Sequence, residues 1–229
     1  MKGLDSVFPL PSPATADLIA DVLRTQILDG ELEPGAHVNE VHVAERFEVS
    51  RGPVRQAVQR LVQEGLLTHA RNRGTRVVEL DLDDVADVYQ VRAAIEREAA
   101  LTLLPDVPGS LHIQLDEVLD EMAQAVDQDS WSAISLADVR FHQSIVNAAE
   151  SPRLSRIFSN LVAESLLCIR RLEIAYQSRD RLVQQHRKLA DLMRAGDEDA
   201  YLAELDWHLR NSVITISKSV DGAPEDPPT

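Results

Sequence analysis

One stretch, residues 50–66, constrains the fold more than any other part of this 229-residue chain. It reads Ser-Arg-Gly-Pro-Val-Arg-Gln-Ala-Val-Gln-Arg-Leu-Val-Gln-Glu-Gly-Leu. Its apolar residues recur at helical spacing and predict the buried face of a helix. These residues are Val54, Val58, Leu61 and Val62. Ser50 is expected to cap the helix with its hydroxyl, Pro53 suits the first turn, and Gly65 is expected to end the helix.

The opposite face of the same helix carries Arg51, Arg55 and Gln59, because residues four apart lie one above the other. The planar fork of arginine suits guanine O6 and N7 as well as phosphate oxygens. The pattern therefore predicts a recognition helix that enters the major groove of DNA. The alternative is that these side chains only solvate a helix face.

The charge distribution favours a local DNA-binding surface, although the whole chain carries a net charge of −15. Residues 50–76 contain six arginines and one acidic residue, Glu64. Residues 81–229 contain 14 basic and 27 acidic residues. Local positive potential drives phosphate binding, and an acidic remainder disfavours non-specific association with nucleic acid.

The flanking sequence predicts a winged helix-turn-helix over residues 12–80, after a flexible tail at 1–11. A first helix begins at Ser12-Pro13 and ends near Gly30, and Asn39 is expected to cap a short second helix. After the recognition helix, two β-type runs flank a basic turn at 71–74, which is typical of a β-hairpin. The predicted unit is three helices plus that hairpin.

The acidic run 81–84 marks a boundary and suits the N-terminus of a helix. Beyond it, helical periodicity predicts a mainly α protein, with an all-α antiparallel bundle over residues 81–220 and a disordered tail at 221–229. The expected helices are 83–104, 110–128, 130–149, 152–177, 180–195 and 198–218.

Two features predict a cytoplasmic location. The single cysteine, Cys168, excludes an intrachain disulfide and fits a reducing compartment, where it is expected to be a buried apolar residue. The first residues lack the apolar core of a signal peptide, and no run approaches the roughly 18 apolar residues of a membrane span. No membrane association is predicted.

Residues 12–80 resemble the GntR-type winged helix, whose recognition segment reads V-S-R-x-P-V-R-x-A-x-x-x-L-x-x-E-G-L. Residues 49–66 match that pattern at every specified position. Residues 83–218 resemble the effector domain of the FadR/FCD subfamily in its six-helix, VanR-like form, with the opening signature at Arg92 and Glu96. The resemblance implies a homodimeric, ligand-controlled transcriptional regulator, with repression as the expected mode.

For DNA binding, the resemblance implies contacts by both arginines of the recognition helix and a wing tip that reaches the minor groove. The predicted DNA-binding residues are Ser50, Arg51, Gly52, Arg55, Gln59, Arg71, Arg73, Gly74 and Thr75. Gly52 stands where the family commonly has Thr or Ser, so one hydroxyl contact is lost. Arg60 and Arg76 fit either a DNA contact or a solvated face. A dimer predicts a palindromic double-stranded operator.

A second set of residues predicts a divalent metal site in the helical domain. Asp138 and His142 lie one turn apart, and His186 and His208 lie on two later helices. Such nitrogen and oxygen ligands suit Zn²⁺ or Ni²⁺. Spacing alone is weak evidence, but metal-binding FCD domains place an Asp, a His four residues later, and one His on each of two later helices.

Arg92 has two interpretations. It forms a salt bridge to Glu96, or, as the resemblance implies, it reaches toward a carboxylate ligand, so that a small organic acid binds between it and the metal.

Three alternatives concern the metal: a purely structural ion, an ion that is itself the effector, and the centre of a hydrolase. The chain lacks the H-E-x-x-H pattern and paired E-x-x-H motifs, so we predict that it is not an enzyme.

Overall fold

The N-terminal part of the chain is a winged helix with a small sheet. A computed structural model describes residues 13–70, 74–175 and 179–220. The elements of this part are α1 (Pro13–Leu28), β1 (His37–Val38), α2 (Glu40–Arg46), α3 (Arg51–Gln63), β2 (Leu67–Ala70) and β3 (Gly74–Val77). The predicted tails at 1–11 and 221–229 lie outside the described residues.

Helix α3 is held in place by its apolar face, which packs against α1. Val54 and Leu61 are fully buried, as are Ile19 and Leu23 of α1. Burial of a Val or Leu side chain stabilises a fold by about 1.5–3 kcal/mol, so this contact fixes which face of α3 points outward. The solvent-facing side of α3 is therefore set by the core, not by surface charges.

The two predicted N-terminal caps have different outcomes. The side chain of Asn39 accepts a hydrogen bond from the backbone N–H of Val41 at 2.9 Å and begins α2 as predicted. Ser50 occupies the N-cap position of α3 in extended conformation, but its hydroxyl makes no capping hydrogen bond. The prediction for the Ser50 hydroxyl was therefore wrong, and this side chain is exposed to solvent.

The sheet has the order β1-β3-β2, with both pairs antiparallel. The β2–β3 pair is the predicted hairpin, in register from Leu67 opposite Val77 to Ala70 opposite Gly74. Strand β1 was not predicted, because two residues are too short to show any alternation of apolar and polar side chains. It pairs His37 with Arg76 and adds an edge to the wing.

Gly74 begins β3 with a φ of +76°, in the left-handed region. An L-residue there costs roughly 1–2 kcal/mol, because its Cβ crowds the backbone. A Cβ at this position would also lie 2.5 Å from Nε2 of His37. We expect Gly74→Ala to lower the free energy of unfolding by roughly 1–2 kcal/mol in a denaturant titration.

Gly52→Ala is the matched control for that experiment. Gly52 lies in α3, and a Cβ there would meet only the Ser50 hydroxyl, at 3.9 Å. Alanine favours helices more than glycine does, so this substitution is expected to leave stability unchanged or raise it. Equal free energies of unfolding for Gly74→Ala and the wild type would contradict the conformational role of Gly74.

The C-terminal part of the chain is a helical bundle, divided from the winged helix between Glu79 and Leu80. Its described helices are α4 (Leu82–Leu103), α5 (Gly109–Asp127), α6 (Trp131–Ala148), α7 (Pro152–Ala175), α8 (Asp180–Ala195) and α9 (Glu198–Val220). Each observed end lies within two residues of the predicted one. None of these helices, nor any other described one, combines the length and apolar character needed to cross a membrane.

Local signals in the sequence explain where these helices begin and end. Asp81 and Asp84 form a capping box at the start of α4, each side chain accepting the backbone N–H of the other residue. Gly196 ends α8 in a left-handed conformation, with φ of 67°. The acidic run at 81–84 and the break at Gly196-Asp197 thus have the roles that the sequence predicted.

Helix α6 lies inside the bundle, in contact with α4, α5 and α7, while α9 packs against α4, α7 and α8. The core that surrounds α6 is mostly aliphatic, with Phe141 and Phe158 fully buried. Cys168 is also fully buried, and burial raises the pKa of its thiol to about 12, so it behaves as the predicted apolar residue. This arrangement brings polar side chains of α6, α8 and α9 into an interior otherwise built from apolar residues.

Candidate functional site

The exposed face of α3 presents the predicted recognition residues. Arg51, Arg55 and Gln59 are all exposed, opposite the buried Val54 and Leu61. The Arg55 side chain is 60% exposed and lies 3.6 Å from a carboxylate oxygen of Glu40. An exposed ion pair of this kind contributes at most about 1 kcal/mol, so Glu40 does not prevent Arg55 from binding another anion.

The predicted wing residues differ in their positions. Gly74 is half-buried at the start of β3, and Arg71 and Arg73 lie outside the described residues. Thr75 is buried, with a relative exposure of 5%, and its hydroxyl lies 3.2 Å from Nδ1 of His69. Side chains alternate between the two faces of β3, and Thr75 shares the buried face with Val77.

Two arginines for which the sequence left both interpretations open have intramolecular partners. Arg60 contacts Asp17 at 2.6 Å and Glu64 at 2.9 Å, and so links α3 to α1. Arg76 donates a hydrogen bond to the backbone carbonyl of Gly35 at 2.8 Å. Both side chains therefore contribute to the internal structure of the winged helix.

In the helical bundle, the four predicted metal ligands come together. Asp138 and His142 lie on α6, His186 on α8 and His208 on α9. All four are buried, and one candidate ligand atom from each lies within 4.8 Å of the others. The imidazole ring centroids are 4.8 to 5.2 Å apart. One carboxylate and three imidazoles thus converge from three helices.

A hydrogen bond fixes which nitrogen of the His186 ring is free. Nδ1 of His186 lies 2.8 Å from the backbone carbonyl of Leu182, and a carbonyl only accepts, so Nδ1 carries the proton. In the neutral ring, Nε2 then has a bare lone pair, which lies 3.1 Å from an Asp138 oxygen. Two acceptors face each other there unless a proton or a cation lies between them.

His142 makes a close contact of another kind. Its Nδ1 lies 2.6 Å from a carboxylate oxygen of Glu96, an ion-pair distance. Both nitrogens of His142 and Nδ1 of His208 are buried, and none of them has a partner with regular hydrogen-bond geometry among the described residues. Buried polar atoms are nearly always paired, so unpaired nitrogens here indicate a ligand that they are arranged to bind.

The charges in this cluster suit a cation. Burial alone would raise the pKa of Asp138, but positive charge at the facing His186 and then at His142 lowers it well below its usual range, so the carboxylate is ionised when a proton or a cation lies between these groups. Burial, and next positive charge at the neighbouring His186 and His142, lower the pKa of His208, so that ring is neutral. Neutral imidazoles and an ionised carboxylate are the forms that bind Zn²⁺ or Ni²⁺, and the residues therefore fit such a metal.

Arg92 lies beside this cluster on α4 and is 1% exposed. Its Nε donates to Glu96 at 2.9 Å, which is the salt bridge of the first of the two interpretations. Its Nη2 is nevertheless buried without a hydrogen-bond partner in the described part of the chain. The guanidinium carbon lies 5.1 Å from the Tyr89 ring centroid and 6.0 Å from that of Phe158. The guanidinium therefore binds Glu96 through Nε, and its Nη2 can still donate a hydrogen bond to a ligand.

Sequence reasoning missed the contact between Glu96 and His142. It considered Glu96 only as a neighbour of Arg92, because the two lie one turn apart. Burial would raise the pKa of Glu96, but His142 and Arg92 together lower it, so Glu96 is ionised. The contact with His142 joins α4 to α6, and spacing within a single helix carries no signal for it.

Comparisons with known proteins agree with this architecture. The model for "Bacterial regulatory proteins, gntR family" matches residues 15–77, and the model for the FCD domain matches residues 87–211. The gluconate operon transcriptional repressor of Bacillus subtilis is 29% identical over 213 residues, covering 90% of this chain and 87% of the relative. The transcriptional repressor RspR of Escherichia coli is 27% identical over 211 residues, covering 92% and 90%.

A crystal structure of a GntR regulator from Rhodococcus sp. RHA1 has the same fold. It superposes with a TM-score of 0.76, covers 90% of this chain and 99% of its own, and is 24% identical. At that identity, the likeness concerns the fold alone.

Proposed function

This chain belongs to the gntR family of bacterial regulatory proteins and carries an FCD domain, and we propose that it is a repressor whose operator affinity responds to a small organic acid. The family consists of transcriptional regulators that bind DNA, not of enzymes. In the proposal, a homodimer binds a palindromic operator through two copies of α3. The acid binds beside a divalent metal held by Asp138, His142, His186 and His208.

The exposed face of α3 supports the DNA-binding part of the proposal. Arg51 and Arg55 are held on a helix whose other face is buried against α1, so they can be inserted into the major groove without rearrangement of the core. An arginine that binds guanine in a bidentate manner discriminates against other bases by about 1–3 kcal/mol. A dimer places two such helices on two half-sites, which explains why the operator is expected to be palindromic.

The unpaired lone pairs of the buried histidines are the observation that carries the metal part. Nε2 of His142 and Nε2 of His186 face the interior with no donor to bind, next to an ionised Asp138. When bound, Zn²⁺ or Ni²⁺ would supply a Lewis acid that attracts a carboxylate. The protein's own contribution is to hold four ligands in fixed orientations on three helices.

Charge balance supports an acid as the effector. With neutral imidazoles and no metal, Asp138, Glu96 and Arg92 give the buried site one net negative charge, which repels an anion. A divalent cation reverses that sign and leaves one net positive charge, which a monocarboxylate neutralises. The unpaired Nη2 of Arg92 offers a donor for the same carboxylate. Acid binding should therefore depend on the metal.

Control of DNA binding would follow from a shift between conformations of the dimer. An acid that binds one arrangement better than another stabilises that arrangement. A preference on the order of 5 kcal/mol changes a population from nearly all of one state to nearly all of the other. The names of the two relatives, a gluconate operon repressor and RspR, support repression as the mode of action.

Selection of operator DNA from a random duplex pool tests the proposal as a whole. Recovery of a palindromic sequence is expected, and D-gluconate and a panel of short mono-, di- and tricarboxylates are then titrated against that operator with Zn²⁺ present and absent. Operator affinity that responds to Zn²⁺ alone would indicate a metal sensor. Failure to enrich any sequence, with or without added Zn²⁺ or Ni²⁺, would contradict sequence-specific regulation.

We expect His142→Ala, which removes a proposed metal ligand, to weaken acid binding by at least about tenfold, because loss of only a hydrogen-bond partner of such a ligand already costs about 10- to 100-fold in metal affinity or activity. Calorimetry of the panel acids against Zn²⁺-treated wild type and variant measures the effect. His112→Ala is the control, because His112 lies on α5 outside the cluster. Equal acid affinities of wild type and folded His142→Ala would leave the metal with a structural role only.

A further inference from the structure

Glu96 is a buried carboxylate with two donors as neighbours. Its side chain is 3% exposed. One oxygen, Oε1, accepts from Nε of Arg92 at 2.9 Å, and the other, Oε2, lies 2.6 Å from Nδ1 of His142. Each oxygen of this single carboxylate therefore contacts a different residue, one proposed to bind the effector and one proposed to bind the metal.

Only a carboxylate satisfies both neighbours. The guanidinium of Arg92 has no acceptor, and His142 can ligate a metal through Nε2 only when Nδ1 carries the proton. Glutamine in place of Glu96 has one acceptor oxygen and one donor NH₂ group, so one of the two neighbours would face a donor. A buried donor left unpaired in this way costs about 1–3 kcal/mol.

We propose that Glu96 is a positioning residue that couples the metal site to the effector arginine, an inference that rests on the proposed function. Its Oε2 holds the His142 ring with Nε2 directed to the metal, and its Oε1 holds Arg92 by Nε and leaves Nη2 for the acid. Carboxylates that fix a metal-bound histidine in this way raise the basicity of the ligand and set its tautomer. Metal binding and acid binding thus share one chain of close polar contacts, Arg92–Glu96–His142.

The first test measures Zn²⁺ affinity of full-length Glu96→Gln by competition with a chromophoric chelator. The expected loss is about 10- to 100-fold, the range typical of hydrogen-bond partners of metal-bound histidines. Glu98→Gln is the matched control, because Glu98 lies on the same helix and is exposed. It should bind Zn²⁺ like the wild type.

A second readout separates positioning from a general loss of structure. Long-range ¹H–¹⁵N correlation spectra of the metal-free protein report which nitrogen of His142 is protonated. The wild type and Glu98→Gln should show the Nδ1–H form, and Glu96→Gln should populate the other tautomer. Glu96→Asp keeps both acceptor oxygens on a shorter side chain and is expected to restore the Nδ1–H form and part of the Zn²⁺ affinity.

The outcomes distinguish this inference from the proposed function. A wild type that binds no Zn²⁺ or Ni²⁺ would overturn the metal site itself. A wild type that binds Zn²⁺, with Glu96→Gln equal to it in affinity and tautomer, would overturn the role of Glu96 alone. If Glu96→Gln does not fold, as judged by circular dichroism, Glu96→Asp decides, and unchanged Zn²⁺ affinity in a Glu96→Asp protein that has lost the Nδ1–H form of His142 contradicts the inference.

Discussion

Replacement of Arg55 by alanine is expected to weaken binding to the selected operator by about 1–3 kcal/mol. Arg55 lies in the middle of the exposed face of α3, and its only described ion-pair partner is Glu40, at 3.6 Å. That exposed pair is weak, so the guanidinium can exchange it for a base edge or a phosphate without a large cost. The core under α3 does not involve Arg55, and the variant should keep its fold.

The way in which operator affinity falls indicates which atoms of the DNA Arg55 contacts. If Arg55 contacts a guanine, the variant loses sequence specificity at one position of each half-site. If Arg55 binds a phosphate, the variant loses affinity equally for all sequences, and the slope of log affinity against log salt concentration falls in magnitude by about one. Arg97→Ala is the matched control, because Arg97 is also exposed and also has one described acidic partner, Asp206, at 3.4 Å. Operator affinity of Arg55→Ala equal to that of Arg97→Ala would exclude Arg55 from the interface.

The sequence predicts best where one physical signal dominates over a long segment. Helices α4 to α9 follow from apolar periodicity and clear breaks, such as the capping box at Asp81 and the left-handed Gly196. The solvent-facing side of α3 follows in the same way, since burial of Val54 and Leu61 fixes the orientation of Arg51 and Arg55. In these segments local preference and tertiary packing agree.

Features that depend on a few atoms were not predictable. Strand β1 is two residues long and is formed by pairing with β3, which is nearly 40 residues further along the chain. The hydroxyl of Ser50 had a favourable position for capping and does not use it. Thr75 shares the buried face of β3 with Val77, but a strand of four residues is too short for this alternation to identify the buried face from sequence. Each of these outcomes depends on a segment too short for periodicity to reveal it.

The candidate metal site is predictable only in part for the same reason. The spacing of Asp138 and His142 places them on one face of α6, but nothing in the chain alone brings His186 and His208 to the same point; a family pattern was needed. Glu96 shows the limit most clearly. Its contact with His142 depends on how α4 packs against α6, and neither residue's local sequence specifies that packing.

Chelation of divalent metal is expected to lower the melting temperature of the protein, and Zn²⁺ is expected to restore it. A ligand that binds only the folded state at 1,000 times its Kd stabilises that state by about 4 kcal/mol. For a protein of this size, that corresponds to a shift on the order of 10 °C. The reason is local: without a cation, lone pairs on His142 and His186 remain buried beside the ionised Asp138.

Asp138→Asn tests whether the expected Zn²⁺-dependent stabilisation arises at this cluster. Asparagine keeps the size of the side chain but removes the negative charge that a divalent cation needs, so the variant should lose most of the Zn²⁺-dependent shift. His112→Ala, which changes a histidine outside the cluster, should keep the full shift. Differential scanning fluorimetry over a series of Zn²⁺ and chelator concentrations measures all three proteins. A shift equal in wild type and Asp138→Asn would place the bound metal elsewhere, and no shift in the wild type would contradict a metal site in this domain.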